Sequence, residues 1–253
     1  MHIPTYKKCN DTDRAVVFIH GFMGSPNQFT DLADAVYNNG CSCMSILLPG
    51  HGVGMNGFVK FGVADWERHV QNEIDIIKHE YKEIFLVGHS MGGLLALNAS
   101  LIKENNIAGV VLISTPLKVN LLNLKSLWQK IRLLTFSNNN EIKSVYIKSN
   151  GIGKLKIFTY PSIISPFINF YKLIKKTKKH LSQVFVPVLI FQSKNDETAS
   201  YKSAKLFYEG LCNTQRTVFS LEKSWHAFYD DSERKFIRDK LIQFIQSENT
   251  FTQ

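Results

Sequence analysis

The ten residues 84–93, Ile-Phe-Leu-Val-Gly-His-Ser-Met-Gly-Gly, constrain the fold of this chain more than any other segment. An apolar, β-branched run typical of a buried strand stops at Gly-x-Ser-x-Gly, and a pattern typical of a helix follows. A strand-to-helix turn this tight needs Gly88 and Gly92, because side chains at those positions would collide with their neighbours. The pattern predicts that Ser90 has a strained backbone conformation and stands in the open above a sheet.

Apolar runs alternate with amphipathic patterns along most of the 253 residues, as expected for one sizeable α/β domain. Strands are predicted at residues 15–20, 44–48, 84–87, 109–113, 187–191 and 217–221. Helices are predicted at residues 26–36, 64–79, 91–103, 200–211 and 233–244. Because alternating strands and helices favour parallel pairing, the predicted fold class is α/β. Its sheet should be mostly parallel and twisted, with helices on both faces.

A strongly basic segment interrupts this alternation. Residues 117–184 hold 13 Lys and Arg and a single acid, Glu141, so the segment carries +12 and the remainder about −3. It contains helical patterns at residues 121–136 and 171–180 and is inserted between two predicted strands, over the edge where α/β sheets bind ligands. We therefore predict a core formed by residues 1–116 and 185–253 and a basic cap formed by residues 117–184.

A serine hydroxyl is a poor nucleophile near neutral pH, so it needs a histidine to take its proton and an acid to orient that histidine. After a turn of this kind, the chain order is serine, acid, histidine. Two histidines follow Ser90, and one of them, His180, ends a lysine-rich run that favours exposure to solvent. His226 lies in a short loop before the last predicted helix, and it is the predicted general base.

Two adjacent acids, Asp196 and Glu197, directly follow an apolar strand at its carboxyl end. Asp196 comes first and has the shorter side chain, so it is the predicted partner of His226. Glu197 remains the alternative, because some sites of this kind use glutamate. Either carboxylate could instead only accept hydrogen bonds from backbone N–H groups at the start of a helix.

Attack by the serine would create a negatively charged oxygen, which needs hydrogen-bond donors that are already in place. One predicted donor is the backbone N–H of Met91, the residue after Ser90, and the other is the backbone N–H of Phe22. Phe22 lies in the oxyanion loop, residues 20–24, which follows the first predicted strand. His20 and His51 precede the serine in the chain, and both are predicted to hold loops by hydrogen bonds.

These motifs together resemble the α/β-hydrolase superfamily, and within it the bacterial carboxylesterase and monoacylglycerol-lipase-like group. They are His-Gly-Phe-x-Gly at residues 20–24, Gly-His-Gly at 50–52, Gly-x-Ser-x-Gly-Gly at 88–93, the acid turn at 195–197 and Trp-His at 225–226. Two residues depart from the pattern: Asn195 stands where such enzymes often have histidine, and Ala227 where valine or threonine is common. The resemblance covers the predicted core and does not extend to the basic cap.

The resemblance implies an α/β-hydrolase fold with an inserted cap and catalytic residues Ser90, Asp196 and His226, without a metal or organic cofactor. It implies a serine carboxylesterase that hydrolyses short- to medium-chain esters through an acyl-serine intermediate. A monoacylglycerol lipase or a lysophospholipase acting at lipid interfaces is the alternative. A third hypothesis is a binding module that keeps the fold without catalysis. The expected partner is a small-molecule ester or monoacylglycerol.

Composition also indicates where the protein is located and which other partners it could have. No apolar run approaches the ~20 residues of a membrane span, and residues 1–10 lack the apolar stretch of a signal peptide, so a cytoplasmic location is expected. Cys41 and Cys43 are predicted to pack as small hydrophobic residues rather than to bind a metal. The basic cap could steer anionic ligands, contact anionic lipid weakly, or be a solvated surface with no special role. Nucleic acid is not an expected partner, because no recognised binding module accompanies the charge.

Overall fold

A computed structural model describes residues 2–120 and 164–247. Seven strands form one sheet in the order β1-β3-β2-β4-β5-β6-β7. They are β1 (Thr5–Lys7), β2 (Arg14–Ile19), β3 (Ser42–Ile46), β4 (Glu83–His89), β5 (Ile107–Ile113), β6 (Val188–Ser193) and β7 (Arg216–Leu221). Every neighbouring pair from β3 to β7 is parallel, and β1 pairs antiparallel with β3 at one edge. The prediction of a mostly parallel α/β sheet is confirmed.

The helices cover both faces of this sheet. In chain order the described helices are α1 (Thr30–Asn38), α2 (Met55–Phe58), α3 (Val63–Ile77), α4 (Met91–Ala99), α5 (Ile164–His180), α6 (Lys202–Gly210) and α7 (Asp231–Gln246). The predicted helices are confirmed with boundaries that differ by a few residues, and the helix predicted from Pro26 begins as a 3₁₀ turn at Pro26–Phe29. The helical pattern at residues 171–180 is part of α5, whereas the pattern at residues 121–136 lies outside the described residues.

The alternation of side chains along the strands creates two hydrophobic cores. On β2, Val17 and Ile19 join the core shared with α3, α4, α5 and α6, and Val16 and Phe18 join the core shared with α1 and α7. The helices meet these cores with residues at helical spacing, which on α3 are Trp66, Val70, Ile74 and Ile77. The same strands therefore hold helices on both faces.

Cys41 and Cys43 are buried in the core beside α1, which confirms that they pack as small hydrophobic residues. Burial raises the pKa of the Cys41 thiol to about 12 and that of Cys43 to about 11, so neither is a thiolate near neutral pH. Within residues 2–120 and 164–247, no three His, Cys, Asp or Glu side chains gather as metal ligands would. In the same part of the chain, no helix has both the length and the apolar character needed to cross a membrane.

The described ends of the basic segment are joined to the core. Residues 117–120 run beside residues 198–200 through an antiparallel bridge between Val119 and Ala199. At the other end, Phe170, Leu173 and Ile174 of α5 belong to the same hydrophobic core as α3 and α4. The division into core and cap remains a prediction, because residues 121–163 lie outside the described part of the chain.

Candidate active site

Ser90 lies at the sharp turn between β4 and α4, as its motif predicts, but it is only 4% exposed, so the expectation that it stands in the open is wrong. Its φ of 53° belongs to a region that residues with a Cβ rarely adopt, so this backbone is strained. A Cβ on Gly92 would lie 1.9 Å from the carbonyl oxygen of Ile19, and a Cβ on Gly88 would lie 2.3 Å from the nitrogen of Gly93. Only glycine allows the backbone to approach this closely at both positions.

Ser90, His226 and Asp196 form one hydrogen-bonded chain. His226 Nε2 lies 3.0 Å from Ser90 Oγ, and His226 Nδ1 lies 2.8 Å from Asp196 Oδ2. The Asp196 side chain is fully buried, and the His226 side chain is 13% exposed. Because a carboxylate can only accept, the neutral imidazole carries its proton on Nδ1 and presents the lone pair of Nε2 to the serine hydroxyl. The structure thus brings together three side chains that the sequence places in three separate loops.

The two adjacent acids contact His226 in different ways. Asp196 Oδ2 meets the imidazole, and Asp196 Oδ1 accepts the backbone N–H groups of Thr198 at 2.7 Å and Ala199 at 2.6 Å. Glu197 Oε2 accepts the backbone N–H of His226 at 3.0 Å. Asp196, the preferred acid of the sequence analysis, is therefore the one whose carboxylate meets the imidazole. It also stabilises the backbone of its own turn, and the donors at Thr198 and Ala199 precede α6, which begins at Lys202.

The oxyanion loop lies directly against Ser90. Gly24 N–H donates to the carbonyl oxygen of Gly21 at 2.9 Å, which closes a turn around Phe22. A Cβ on Gly21 would come within 3.1 Å of Ser90 Cβ. Met91 is the first residue of α4, where a helix leaves its N–H groups without an acceptor of its own. Phe22 and Met91, the two predicted donors, therefore belong to segments that adjoin the serine.

His20 holds the oxyanion loop by hydrogen bonds, as predicted. Its Nε2 accepts the backbone N–H of Leu48 at 3.1 Å, so the proton of the neutral ring is on Nδ1, 3.0 Å from the carbonyl oxygen of Gly21. His51 contacts the same stretch of chain, with Nδ1 at 3.2 Å from the carbonyl oxygen of Leu48. His20 therefore links the loops that follow β2 and β3, whereas His51 closes a turn within the second of these loops.

An aromatic cluster surrounds the side chain of Phe22. The ring stacks on Phe170 of α5, with centroids 5.4 Å apart, and meets Phe58 of α2 edge-on at 5.1 Å. Trp66 of α3 and Phe167 of α5 lie at centroid distances of 6.2 and 6.1 Å. Pairs at such separations contribute about 0.5–1.5 kcal/mol each beyond the area that they bury. The helix α5 of the basic segment therefore packs directly on the oxyanion loop.

A carboxylate at the start of α7 holds the strand end that leads to His226. Glu233 accepts the backbone N–H groups of Glu222 at 2.6 Å, Lys223 at 3.1 Å and Ser224 at 2.8 Å. Its position in the first turn of a helix also favours a negative charge there. The residues just before His226 are thereby tied to the helix that follows the loop.

Three residues around His226 have no counterpart among the sequence predictions: His89, Tyr229 and Glu233. His89 adjoins the nucleophile, and Glu233 stands in the first turn of the last predicted helix, so both positions carried a signal. Tyr229 carried no such signal. Its hydroxyl bonds to the carbonyl oxygen of His226 at 3.1 Å and to Ser114 Oγ at 3.0 Å, and Ser114 follows β5, which is far away in the chain.

Burial keeps three histidines around the site neutral. It lowers the pKa of His51 and of His89 to about 4, and it lowers the pKa of His20 well below its usual range. In the unfolded chain each would titrate at about pH 6.5. The unfolded state therefore binds more protons between these values. The stability due to the neutral rings is complete above about pH 6.5 and is lost as the pH falls towards about 4.

We expect the free energy of unfolding to fall from pH 7 to pH 5, by about 2 kcal/mol for each of His51 and His89. Denaturant unfolding at both pH values measures this change. His51→Asn keeps a donor near the position of Nδ1 but does not titrate, so its pH dependence should be smaller by about that amount. His79→Gln, at an exposed histidine, is the matched control. An unchanged pH dependence in His51→Asn would contradict this expectation.

Comparison with known proteins gives a family match over most of the chain: residues 10–233 match the family described as serine aminopeptidase, S33. The thermostable monoacylglycerol lipase of Bacillus sp. (strain H-257) is 24% identical over 232 residues, covering 91% of this chain and 89% of the relative. The carboxylesterase of Bacillus subtilis (strain 168) is 23% identical over 241 residues, covering 92% and 93%.

Solved structures share the architecture. One from work on two metagenome-derived lipolytic enzymes aligns with a TM-score of 0.79 at 20% identity and covers 98% of each chain. At this identity the likeness shows the fold, and that fold is the α/β-hydrolase fold that the sequence motifs predict. With a family match across residues 10–233, the chain belongs to the serine aminopeptidase, S33 family and is a serine hydrolase of the α/β-hydrolase superfamily.

Proposed function

We propose that this protein is a serine carboxylesterase that hydrolyses short- to medium-chain esters through an acyl-Ser90 intermediate. The observation that carries the proposal is the hydrogen-bonded chain from Ser90 through His226 to Asp196, at 3.0 and 2.8 Å. In this arrangement the imidazole takes the serine proton, and the carboxylate stabilises the positive charge that the imidazole then gains. The two Bacillus relatives support the proposal, because one is a monoacylglycerol lipase and the other a carboxylesterase.

Acylation begins when Ser90 Oγ attacks the ester carbonyl carbon while its proton passes to His226 Nε2. The carbonyl oxygen becomes an oxyanion, and the backbone N–H groups of Phe22 and Met91 donate to it. When the tetrahedral intermediate collapses, the bond to the alcohol oxygen breaks and His226 gives that oxygen its proton. Asp196 keeps the imidazole in the required tautomer throughout.

Deacylation repeats the same steps with water in place of the serine. His226 removes a proton from the water as its oxygen attacks the acyl carbon, and the same two backbone donors stabilise the second oxyanion. Collapse breaks the bond to Ser90 Oγ, and the proton returns to the serine as the carboxylic acid leaves. Side chains, backbone N–H groups and water account for every atom and proton in both halves of the cycle.

A second candidate function is a lipase that takes monoacylglycerols or lysophospholipids from an anionic lipid surface, with residues 117–184 as the cap. The observation that favours it is the outer face of α5. Apart from Ser165, its exposed side chains are apolar or aromatic in the first half and cationic in the second. They are Ile164, Ile168, Tyr171, Lys172, Lys175, Lys176, Lys178 and Lys179, and Lys176 pairs with Glu67. Apolar side chains flanked by lysines are typical of helices that lie at an anionic interface.

Hydrolysis of p-nitrophenyl esters from acetate to palmitate, with and without anionic phospholipid vesicles, distinguishes the two candidates. We expect the rate to peak at short or medium chains, because that is the substrate range of the proposed esterase. Stoichiometric labelling by an organophosphonate should abolish the activity, which shows that the rate depends on a serine nucleophile.

Other outcomes of this assay have definite meanings. A rate that rises towards palmitate and increases with anionic vesicles would favour the lipase. It would also indicate that the outer face of α5 binds the lipid surface. Neutral phosphatidylcholine vesicles are the control, since they offer an interface without the negative charge. If no ester is hydrolysed and no organophosphonate is bound, the protein is a binding module and both proposals are wrong.

A further inference from the structure

The main chain of His226 is bonded on both sides of its Cα. On the amino side, the carboxylate of Glu197 accepts the N–H of His226 at 3.0 Å. On the carbonyl side, His89 Nε2 lies 2.8 Å from the carbonyl oxygen of His226, and the hydroxyl of Tyr229 donates to the same oxygen at 3.1 Å. A histidine whose backbone is bonded in this way has little freedom to move its ring relative to the serine.

The directions of these hydrogen bonds follow from chemistry. A carbonyl oxygen only accepts, so His89 must carry its proton on Nε2, and among the described residues its Nδ1 has no hydrogen-bond partner. A positive charge on His89 is disfavoured, because burial and the nearby imidazole of His226 lower the pKa of His89 to about 4. The centroids of the two rings are 5.0 Å apart. Tyr229 donates to His226 and therefore accepts from Ser114 Oγ at 3.0 Å.

Glu197 differs from the other members of this set because it adjoins Asp196 in the chain. Asp196 bonds the imidazole Nδ1 at 2.8 Å, and Glu197 bonds the backbone nitrogen of the same residue at 3.0 Å. Glu197 is only 2% exposed, and a carboxylate is costly to bury unless it accepts hydrogen bonds in return. One two-residue turn thus fixes both the ring and the backbone of His226.

We propose that Glu197 is a positioning residue for the general base: its carboxylate holds the backbone of His226 so that Nε2 stays within hydrogen-bond distance of Ser90 while Asp196 orients the ring. This inference rests on the proposed function, in which His226 moves the proton. The role needs an acceptor oxygen at this point and does not need the negative charge. Glutamine should therefore perform it, and alanine should not.

The test compares Glu197→Gln and Glu197→Ala with the wild type on the preferred p-nitrophenyl ester. We expect Glu197→Gln to keep kcat within about threefold and Glu197→Ala to lose roughly 10- to 100-fold in kcat, the scale of a misplaced catalytic group. KM should stay nearly unchanged in both, because Glu197 bonds His226 and the substrate site is left intact. Glu209→Gln and Glu209→Ala, at an exposed acid on α6, are the matched controls.

The Nδ1 proton of His226 supplies a second readout. A proton shared between imidazole and carboxylate gives a far-downfield proton NMR signal. This signal should remain in Glu197→Gln and broaden in Glu197→Ala, whereas a residue that only stabilised the fold would leave it unchanged in the folded protein. If Glu197→Ala does not fold, Glu197→Met fills a similar volume without an acceptor oxygen and should lower kcat with KM unchanged.

Three results would overturn the inference: wild-type kcat in Glu197→Ala, an equal loss in both Glu197 variants, or a loss confined to KM. Wild-type kcat in a folded Glu197→Met would overturn it in the same way. Failure of this inference is distinguishable from failure of the proposed function through Ser90→Ala. If Ser90→Ala is inactive and Glu197→Ala is fully active, only the positioning role is wrong.

Discussion

Replacing Ser90 by alanine should lower kcat for ester hydrolysis on the order of 10⁶-fold, the scale observed when a triad nucleophile is removed. The reason is that Ser90 Oγ is the atom that attacks and the atom from which His226 Nε2, 3.0 Å away, takes a proton. The measurement is kcat on the best p-nitrophenyl ester, together with the mass of the protein after treatment with an organophosphonate. The wild type should gain one label per chain, and Ser90→Ala should gain none.

Ser100→Ala is the matched control, because Ser100 follows the carboxyl end of the same helix α4. Among the described residues, its hydroxyl bonds only the carbonyl oxygen of Leu97. It should keep wild-type kcat and take up the label. Ser90→Ala should remain folded, since the substitution removes one oxygen and retains the Cβ at this strained position. Full labelling of Ser90→Ala would show that another nucleophile carries the activity, and the assignment of Ser90 would then be wrong.

The parts of the site that the sequence predicts are those with a local signal. Gly88, Ser90 and Gly92 form a turn whose steric requirements depend on their spacing. In the structure, a Cβ added to Gly88 or to Gly92 would lie less than 2.5 Å from a backbone atom. Asp196 and His226 are 30 residues apart, yet both follow strands that end at the same edge of a parallel sheet. The topology predicted from alternating strands and helices is therefore enough to bring them together.

The choice between Asp196 and Glu197 is set by the backbone of their turn rather than by residue type. The N–H groups of Thr198 and Ala199 hold one oxygen of Asp196, which directs the other oxygen towards the imidazole. These bonds depend on local φ and ψ angles, which no composition or spacing rule supplies. The sequence could rank the two acids. It could not predict the hydrogen bond between the Glu197 carboxylate and the backbone N–H of His226.

Elements that depend on distant partners were also missed. Strand β1 has three residues, and its pairing of Thr5 with Ser45 joins positions far apart in the chain. The stacking of Phe22 on Phe170 brings α5 of the basic segment onto the oxyanion loop, although the pattern along α5 predicts only that its apolar face packs somewhere. Periodicity identifies which face of an element is buried, and tertiary packing determines which other element that face contacts.

Asp196→Asn should lower kcat on the order of 10⁴-fold while the fold remains intact, as the same change does in a serine protease. The structure gives a specific reason. Two backbone N–H groups, at 2.7 and 2.6 Å, require an oxygen at the Oδ1 position, so the new amide must turn its NH₂ towards His226. A donor facing Nδ1 forces the proton of the imidazole onto Nε2, and a protonated Nε2 cannot accept from Ser90.

The measurement is kcat of Asp196→Asn beside that of Glu197→Gln, with the rate of organophosphonate labelling as an independent reading of the nucleophile. Both substitutions exchange one buried carboxylate for its amide, so they match in size and in lost charge. Only the first reverses the hydrogen bond to the imidazole, and it alone should slow both turnover and labelling. If instead Asp196→Asn stays active and Glu197→Gln does not, the acid that orients His226 is Glu197, because the variant that loses the reaction identifies the carboxylate on which the tautomer depends.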